Sequence, residues 1–150
     1  LGERQLVEAE GGRQGAVDGV EGLRLAGGAL LMRMGRKAVA KVEDHLKRVT
    51  ASGAKVLTGG ARHALGGRFF QPTVTLGGDD TLFREEETFG PLIPVFPFET
   101  EEECLEKAND SEFGLASYVF TRDLDRAMRI GRRIEAGMIG VNTGLMSTAV

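Results

Sequence analysis

The second half of the chain alternates between helix signals and short apolar runs, and this alternation limits the possible folds more than any other feature. Thr100 followed by Glu103 is a capping-box pattern, which predicts a helix over about 101–110. The apolar residues 115–120 and 138–141 each predict a buried strand. Helices that alternate with buried strands are typical of an α/β layer architecture with right-handed crossovers, and they argue against a bundle or a sandwich.

A second helix is predicted between these two strands. Asp123 is its expected N-cap, and Gly137 is expected to end it as the C′ residue. The residues expected to face inward are Leu124, Ala127, Met128 and Ile134.

An amphipathic helix is predicted from Arg36 to near Gly53, where apolar residues recur at helical spacing. Those apolar residues are Val39, Val42, Leu46 and Val49. Residues 55–58 and 68–76 then read as strands that pair as neighbours, and the prolines in 92–98 predict an edge or irregular strand. The predicted order from residue 36 is α-β-β-β-α-β-α-β.

The composition excludes several classes of protein. A net charge of -3 argues against a basic nucleic-acid-binding domain, and no apolar stretch approaches the roughly 20 residues that span a bilayer. The single cysteine, Cys104, excludes an internal disulfide, and no Cys/His spacing predicts a metal site. These features predict a cytoplasmic protein that binds neither nucleic acid nor membrane. Residues 1–35 are rich in glycine and without periodicity, which predicts a poorly ordered or unrelated stretch.

The cysteine and the two histidines are candidate catalytic groups. Cys104 lies in a predicted helix among glutamates, which raise a thiol pKa, so a structural role is favoured over a nucleophilic one. His45 is expected on the polar side of the first helix, and His63 lies in a glycine-rich turn. Neither histidine has a Ser or Cys partner at the spacing of a triad.

The glycine pairs at 59–60 and 66–67 are interpreted as turns, since neither has the pattern of a phosphate-binding loop. The acidic run 85–87 is open to two interpretations, a solvated surface or a set of carboxylates for a metal or a ribose. Phe89 follows it in a Gly-Pro turn, where an exposed ring needs a packing partner.

Four segments resemble motifs of the NAD(P)-dependent aldehyde dehydrogenases, in the family's order. The segments are EETFGPL at 86–92, FFQPT at 69–73, AND through FGLA at 108–116, and GMIGVNTG at 137–144. The finer pattern, which includes Ser147, is most similar to the succinate-semialdehyde dehydrogenases. The resemblance covers roughly residues 37–147.

The resemblance implies that residues 36–150 are part of an aldehyde dehydrogenase catalytic domain, an α/β fold with a mixed sheet and flanking helices. It implies oxidation of a small aldehyde, succinate semialdehyde, to the acid with NAD or NADP. Glu87 would bind the hydroxyls of the nicotinamide-side ribose, and Phe89 would pack on that ribose and the nicotinamide. Ser147 would hold the distal carboxylate of the substrate, which a hydroxyl donor suits.

The chain departs from the family pattern in what it lacks. The family's nucleophilic cysteine, its general-base glutamate and its cofactor-binding domain all lie upstream, so the resemblance implies a fragment with no catalytic residue that is inactive alone. The complete protein is expected to be a homo-oligomer, and to be mitochondrial if it carries a transit peptide. Two alternatives remain open: a non-catalytic α/β binding or interaction protein, and an aldehyde dehydrogenase with another semialdehyde substrate.

Overall fold

The computed structural model describes residues 34–143 and the backbone of one strand near the start, β1 (Glu3–Val7). The chain divides into two compact units, one of which contains residues 34–97 and the other residues 98–143 together with β1. Residues 8–33 make up most of the stretch expected to be poorly ordered or unrelated, and they lie outside the described residues. The division into 1–35 and 36–150 therefore stays a prediction.

The unit of residues 34–97 combines a long helix with a mixed three-stranded sheet. Its elements are α1 (Arg36–Ala51), β2 (Lys55–Thr58), β3 (Thr73–Leu76), α2 (Thr81–Glu85) and β4 (Leu92–Val95). β3 lies in the middle, antiparallel to β2 and parallel to β4. The predicted pairing of the first two strands is confirmed, and so is the edge position of the proline-containing strand within the described sheet.

α1 packs one face into the core of this unit. Val39, Val42 and Val49 are buried as the helical spacing predicts, whereas Leu46 is only partly buried. The core cluster consists of Met34, Val39, Val42, Phe70 and Leu92. The helix ends at Ala51, and Gly53 follows with φ of 101°, a left-handed conformation that glycine adopts without a Cβ penalty.

The other unit is built on a parallel sheet. Its elements are α3 (Glu101–Asn109), β5 (Ala116–Phe120), α4 (Leu124–Arg133) and β6 (Met138–Val141). β5 lies between β1 and β6 and is parallel to both. Together the two sheets give the α/β fold with mixed strand directions that the sequence predicts.

Both predicted N-caps of this unit are confirmed. The Thr100 hydroxyl accepts a hydrogen bond from the Glu103 amide at 3.1 Å, and the Glu103 carboxylate accepts one from the Glu99 amide at 2.8 Å. The Asp123 carboxylate accepts from the Arg126 amide at 3.0 Å. The bonds from Glu103 and Arg126 satisfy amides that the first turn of each helix leaves without partners, and the bond from Glu99 fixes the residue before the Thr100 cap.

Side chains join the ends of α3 and α4. The Glu101 carboxylate accepts hydrogen bonds from Arg126 and from Arg129, and the bond from Arg129 is the main cause that lowers the Glu101 pKa. The Asn109 side chain donates to the Arg133 carbonyl at 2.9 Å and accepts from the Glu135 amide at 3.0 Å. Two helices that are separate in sequence are thereby held at both ends of α3.

The predicted inner face of α4 is wrong in part. Ala127 and Ile134 are buried, but Leu124 is 75% and Met128 is 52% exposed, and Ile130 is buried instead. With Asp123 as N-cap, the buried stripe runs through 127, 130 and 134, which leaves 124 and 128 at its margin.

The predicted end of α4 is also wrong. Its C-cap is Ile134, and Gly137 lies three residues further on, where its amide donates to the Gly114 carbonyl at 2.8 Å. A Cβ at Gly137 would lie 3.3 Å from the Leu115 carbonyl oxygen, so this glycine allows the approach to β6 to run close to residues 114–115.

Two further differences concern the middle of the chain. The short helix α2 is absent from the predicted order, and the strand predicted over 68–76 is regular only in β3. Phe70 makes an isolated antiparallel bridge with Arg62 instead. A two-residue bridge is too short to give an alternating pattern that sequence periodicity would detect.

The turn after β2 depends on glycine, as the sequence predicts. Gly59 has φ of 72°, and a Cβ there would lie 2.1 Å from the Pro72 carbonyl oxygen. The next amide, of Gly60, donates to the Thr73 hydroxyl at 2.8 Å. The turn therefore lies directly against the start of β3.

Gly59→Ala should destabilise the protein more than Gly66→Ala. Both positions have positive φ, 72° and 75°, but nothing lies within 4 Å of a Cβ at Gly66. The left-handed penalty of about 1–2 kcal/mol is common to both, so the difference, about 1–3 kcal/mol, reports the collision at Pro72. Denaturant unfolding of the two variants measures it, and equal losses would contradict the close approach.

Candidate functional site

The loop of residues 86–91, called here the 86–91 loop, connects α2 to β4 and contains the acidic and aromatic residues singled out in the sequence. At its start, the Glu86 amide donates to the Leu82 carbonyl at 2.9 Å. At its end, the Pro91 carbonyl accepts from the Thr73 amide at 2.8 Å. Both ends of the loop are therefore fixed by backbone hydrogen bonds.

His45 lies beneath this loop, and its expected place on the polar side of α1 is wrong. Its side chain is only 1% exposed. Nε2 lies 3.3 Å from Glu86 Oε2, and Nδ1 lies 3.0 Å from Thr88 Oγ1. The spacing from Val42 to His45 to Val49 is helical and could have indicated burial, but partners 41 and 43 residues away are not visible in a local pattern.

The chemistry of these groups gives each hydrogen bond a direction. An ionised carboxylate only accepts, so His45 Nε2 donates to Glu86. In the neutral imidazole Nδ1 then accepts, and the Thr88 hydroxyl donates to it. One buried ring thus satisfies both of its nitrogens with side chains of the 86–91 loop.

Cations on the surface of α1 also contact Glu86. Arg48 Nη1 lies 3.2 Å from Glu86 Oε1, and Lys41 Nζ lies 3.8 Å from Oε2. The hydrogen bond from Arg48, followed by the one from His45, holds the pKa of Glu86 below its usual range. Glu86 is 44% exposed, so it lies on the solvated surface that is one interpretation of residues 85–87, and it also pairs with side chains of α1.

Gly90 brings the loop against α1. A Cβ at Gly90 would lie 2.3 Å from Val42 Cγ2 and 3.1 Å from the Met34 methyl group, so only glycine fits. The next amide, of Leu92, donates back to the Gly90 carbonyl at 2.8 Å in a tight turn.

Phe89 occupies the most unusual position in the loop. Its φ is +45°, a left-handed conformation that costs about 1–2 kcal/mol for a residue with a Cβ. Its side chain is nevertheless 65% exposed, so no burial of the ring offsets this strain. Strained residues that the surrounding structure holds in place cluster at ligand sites. Glu87, two residues before it, is partly buried.

The other candidates lie elsewhere. Cys104 is buried on α3, where burial, followed by Glu101 and Glu103, raises the pKa of its thiol to about 11. His63 accepts a hydrogen bond from the Leu65 amide at 3.2 Å within its turn. Ser147 lies outside the described residues.

Two broader properties concern the described residues. In this part of the chain no three or more His, Cys, Asp or Glu side chains are grouped so that they could hold a metal ion. Every helix found there falls short of the length and apolar character needed to cross a membrane.

Comparison with known proteins gives a consistent result. Residues 33–150 match the Aldehyde dehydrogenase family. The chain is 52% identical over 115 residues to a glutarate-semialdehyde dehydrogenase of Pseudomonas aeruginosa, covering 76% of this chain and 24% of that protein. It is 48% identical over 115 residues to an NADP(+) succinate-semialdehyde dehydrogenase of Escherichia coli, with the same coverage of 76% and 24%.

A solved structure agrees with these relatives. The crystal structure of succinate-semialdehyde dehydrogenase from Burkholderia pseudomallei superposes with a TM-score of 0.71 at 51% identity, and the match covers 74% of this chain and 23% of that one. The chain thus spans about a quarter of the length of the relatives it matches. NAD(P) dependence is a property of the matched family. The family match over 33–150, the identity to its members and the shared fold together show that this chain belongs to the aldehyde dehydrogenase family.

Proposed function

We propose that this chain is the segment of an NAD(P)-dependent aldehyde dehydrogenase that orients the nicotinamide-side ribose of the cofactor. The observation that carries the proposal is Phe89, an exposed ring on a strained backbone within a loop that is fixed on both sides. An aromatic side chain that stays exposed on a strained backbone is suited to pack against a planar ligand. The backbone hydrogen bonds at both ends of the loop limit the conformational entropy that binding would cost.

The two proposed contacts have complementary chemistry. The Glu87 carboxylate accepts hydrogen bonds from ribose hydroxyls, and the Phe89 ring packs on the ribose and the nicotinamide. The cofactor, when bound, accepts a hydride from the substrate. The contribution of Glu87 and Phe89 is orientation, because hydride transfer demands that donor and acceptor carbons lie close and aligned.

The proposed substrate is a small aldehyde with a distal carboxylate, such as succinate semialdehyde. The support is chemical: the names of the two relatives include succinate and glutarate semialdehydes, which both carry that carboxylate. Ser147 is proposed to donate a hydrogen bond to it. The chain length of the substrate distinguishes these two semialdehydes, and kinetics of the whole protein across both would identify the preferred one.

The nucleophile and the general base are proposed to lie in the rest of the whole protein. Cys104 is unsuited to attack an aldehyde, since a thiol with a pKa of about 11 holds very little thiolate near neutral pH. Homo-oligomerisation and a cytoplasmic location of the whole protein stay predictions.

The purified chain should be inactive. With succinate semialdehyde and either NAD+ or NADP+, no reduced cofactor should form, because Cys104 is the single cysteine of the sequence and its raised pKa leaves it unactivated. Absorbance at the reduced-nicotinamide band measures this, with the whole protein as the positive control. Steady turnover by the chain would overturn the assignment.

Cys104 should resist alkylation. A shift of the thiol pKa from 9.0 to about 11 lowers its thiolate fraction at neutral pH by about a hundredfold, and burial slows it further. Peptide mass spectrometry after iodoacetamide treatment measures the rate. Glu106→Cys, at an exposed position on the same helix, is the reference. Equal labelling of both thiols would mean that Cys104 is accessible and reactive.

Glu87→Gln in the whole protein should slow hydride transfer more than it weakens cofactor binding. The amide keeps the size of the side chain but accepts more weakly than a carboxylate, so the ribose is held less firmly. A loss of about tenfold or more in single-turnover rate is expected. Glu85→Gln, at an exposed position two residues earlier, is the matched control and should leave the rate unchanged. An unchanged rate for Glu87→Gln would reject the orienting role.

A further inference from the structure

We infer that His45 is a positioning residue, which fixes the 86–91 loop so that Glu87 and Phe89 meet the cofactor in one orientation. The inference rests on the proposed function of those two residues. His45 acts through its hydrogen bonds to Glu86 and Thr88.

The contacts of His45 bracket Glu87. One ring nitrogen binds Glu86 at 3.3 Å and the other binds Thr88 at 3.0 Å, which are the residues immediately before and after Glu87. Because both bonds start from one rigid five-membered ring, the two residues cannot shift independently. The position of the Glu87 backbone is thus set by the ring from both sides.

A second contact on the same helix extends this control to Phe89. Gly90 lies against Val42, one turn of α1 before His45, with no room for a Cβ. Residues 86, 88 and 90 are therefore anchored to α1, while the residues between them are the proposed cofactor contacts. The anchored residues thus alternate with the two proposed cofactor contacts along the loop, whose backbone is left-handed at Phe89.

His45 is the buried member of the set of side chains that anchors the loop. Arg48 and Lys41 also contact Glu86, but their side chains are 48% and 40% exposed, and exposed ion pairs contribute little. The imidazole is 1% exposed, and the Phe83 ring meets it edge to face at 6.1 Å. A buried group that lost either partner would leave a polar atom unsatisfied, so this contact defines the loop geometry strictly.

The test uses His45→Leu and Thr88→Val in the whole protein. His45→Leu removes both hydrogen bonds between helix and loop, and Thr88→Val removes the one to Thr88, each by introducing an apolar side chain of similar size. Single-turnover hydride transfer should slow by about tenfold to a hundredfold, whereas the cofactor dissociation constant should change far less. The double variant should be no slower than His45→Leu, because that change already removes the hydrogen bond to Thr88.

Rescue and a stability control separate positioning from folding. In His45→Gln the amide nitrogen can donate to Glu86 as Nε2 does, so part of the rate should return. Val49→Ala, a buried change further along α1, should lower thermal stability without slowing hydride transfer. If Val49→Ala slows hydride transfer as much as His45→Leu does, the role of His45 is structural and the inference fails.

Glu87→Gln makes the two possible failures distinguishable. A slow Glu87→Gln with normal rates for His45→Leu and Thr88→Val would overturn the positioning role and leave the cofactor site intact. A normal Glu87→Gln would reject the cofactor site, and the positioning role with it. If His45→Leu does not fold, Thr88→Val alone decides the outcome, since it changes only a partly buried loop residue.

Discussion

The hydrogen bonds of the buried His45 ring connect α1 to a loop more than forty residues later in the chain, and the candidate site depends on this connection. A buried imidazole must find partners for both nitrogens, and here the loop supplies both. Backbone hydrogen bonds fix the loop at Glu86 and Pro91, and the residues between them belong to no helix or strand. The position of α1 and the position of the 86–91 loop therefore depend on each other. The close approach of Gly90 to Val42 adds a steric constraint to this polar contact, so that the loop is fixed at a second point.

The contacts that fix the two units differ in emphasis. In residues 34–97, backbone segments approach closely, with Gly59 against Pro72 and Gly90 against α1. In residues 98–143, ion pairs and caps join the helices, with Glu101 bonded to two arginines of α4, and Gly137 allows a similar close approach of the backbone. Close approaches tolerate almost no added volume, whereas exposed ion pairs each contribute little and tolerate substitution. The candidate site lies beside one of the close approaches, which suits a contact surface that must keep its position.

Sequence reasoning predicts the elements well where a local rule applies. The helical spacing of Val39, Val42 and Val49, the caps at Thr100 and Asp123, and the glycine turn after β2 all depend on neighbouring residues, and all are confirmed. The errors have a common origin in contacts distant in sequence. His45 is a polar residue, so its burial is explained only once its distant partner Thr88 is known. The exposure of Leu124 at the margin of α4 likewise depends on which residues pack against that helix. The acidic run at 85–87 is identified as a candidate site only through its resemblance to a family motif. No local sequence pattern shows that a carboxylate pairs with cations that are distant in the sequence.

At position 89 the backbone is left-handed, so the residue that best suits folding differs from the residue that best suits ligand contact. Glycine or asparagine would adopt that conformation more readily, so either would favour the folded chain. Each would also remove the exposed ring. A search for more thermostable variants would therefore tend to accept changes at this residue. The selected proteins would be more stable, but they would lack the surface on which a planar ligand can stack. Stability measured without ligand is a misleading guide at such a residue.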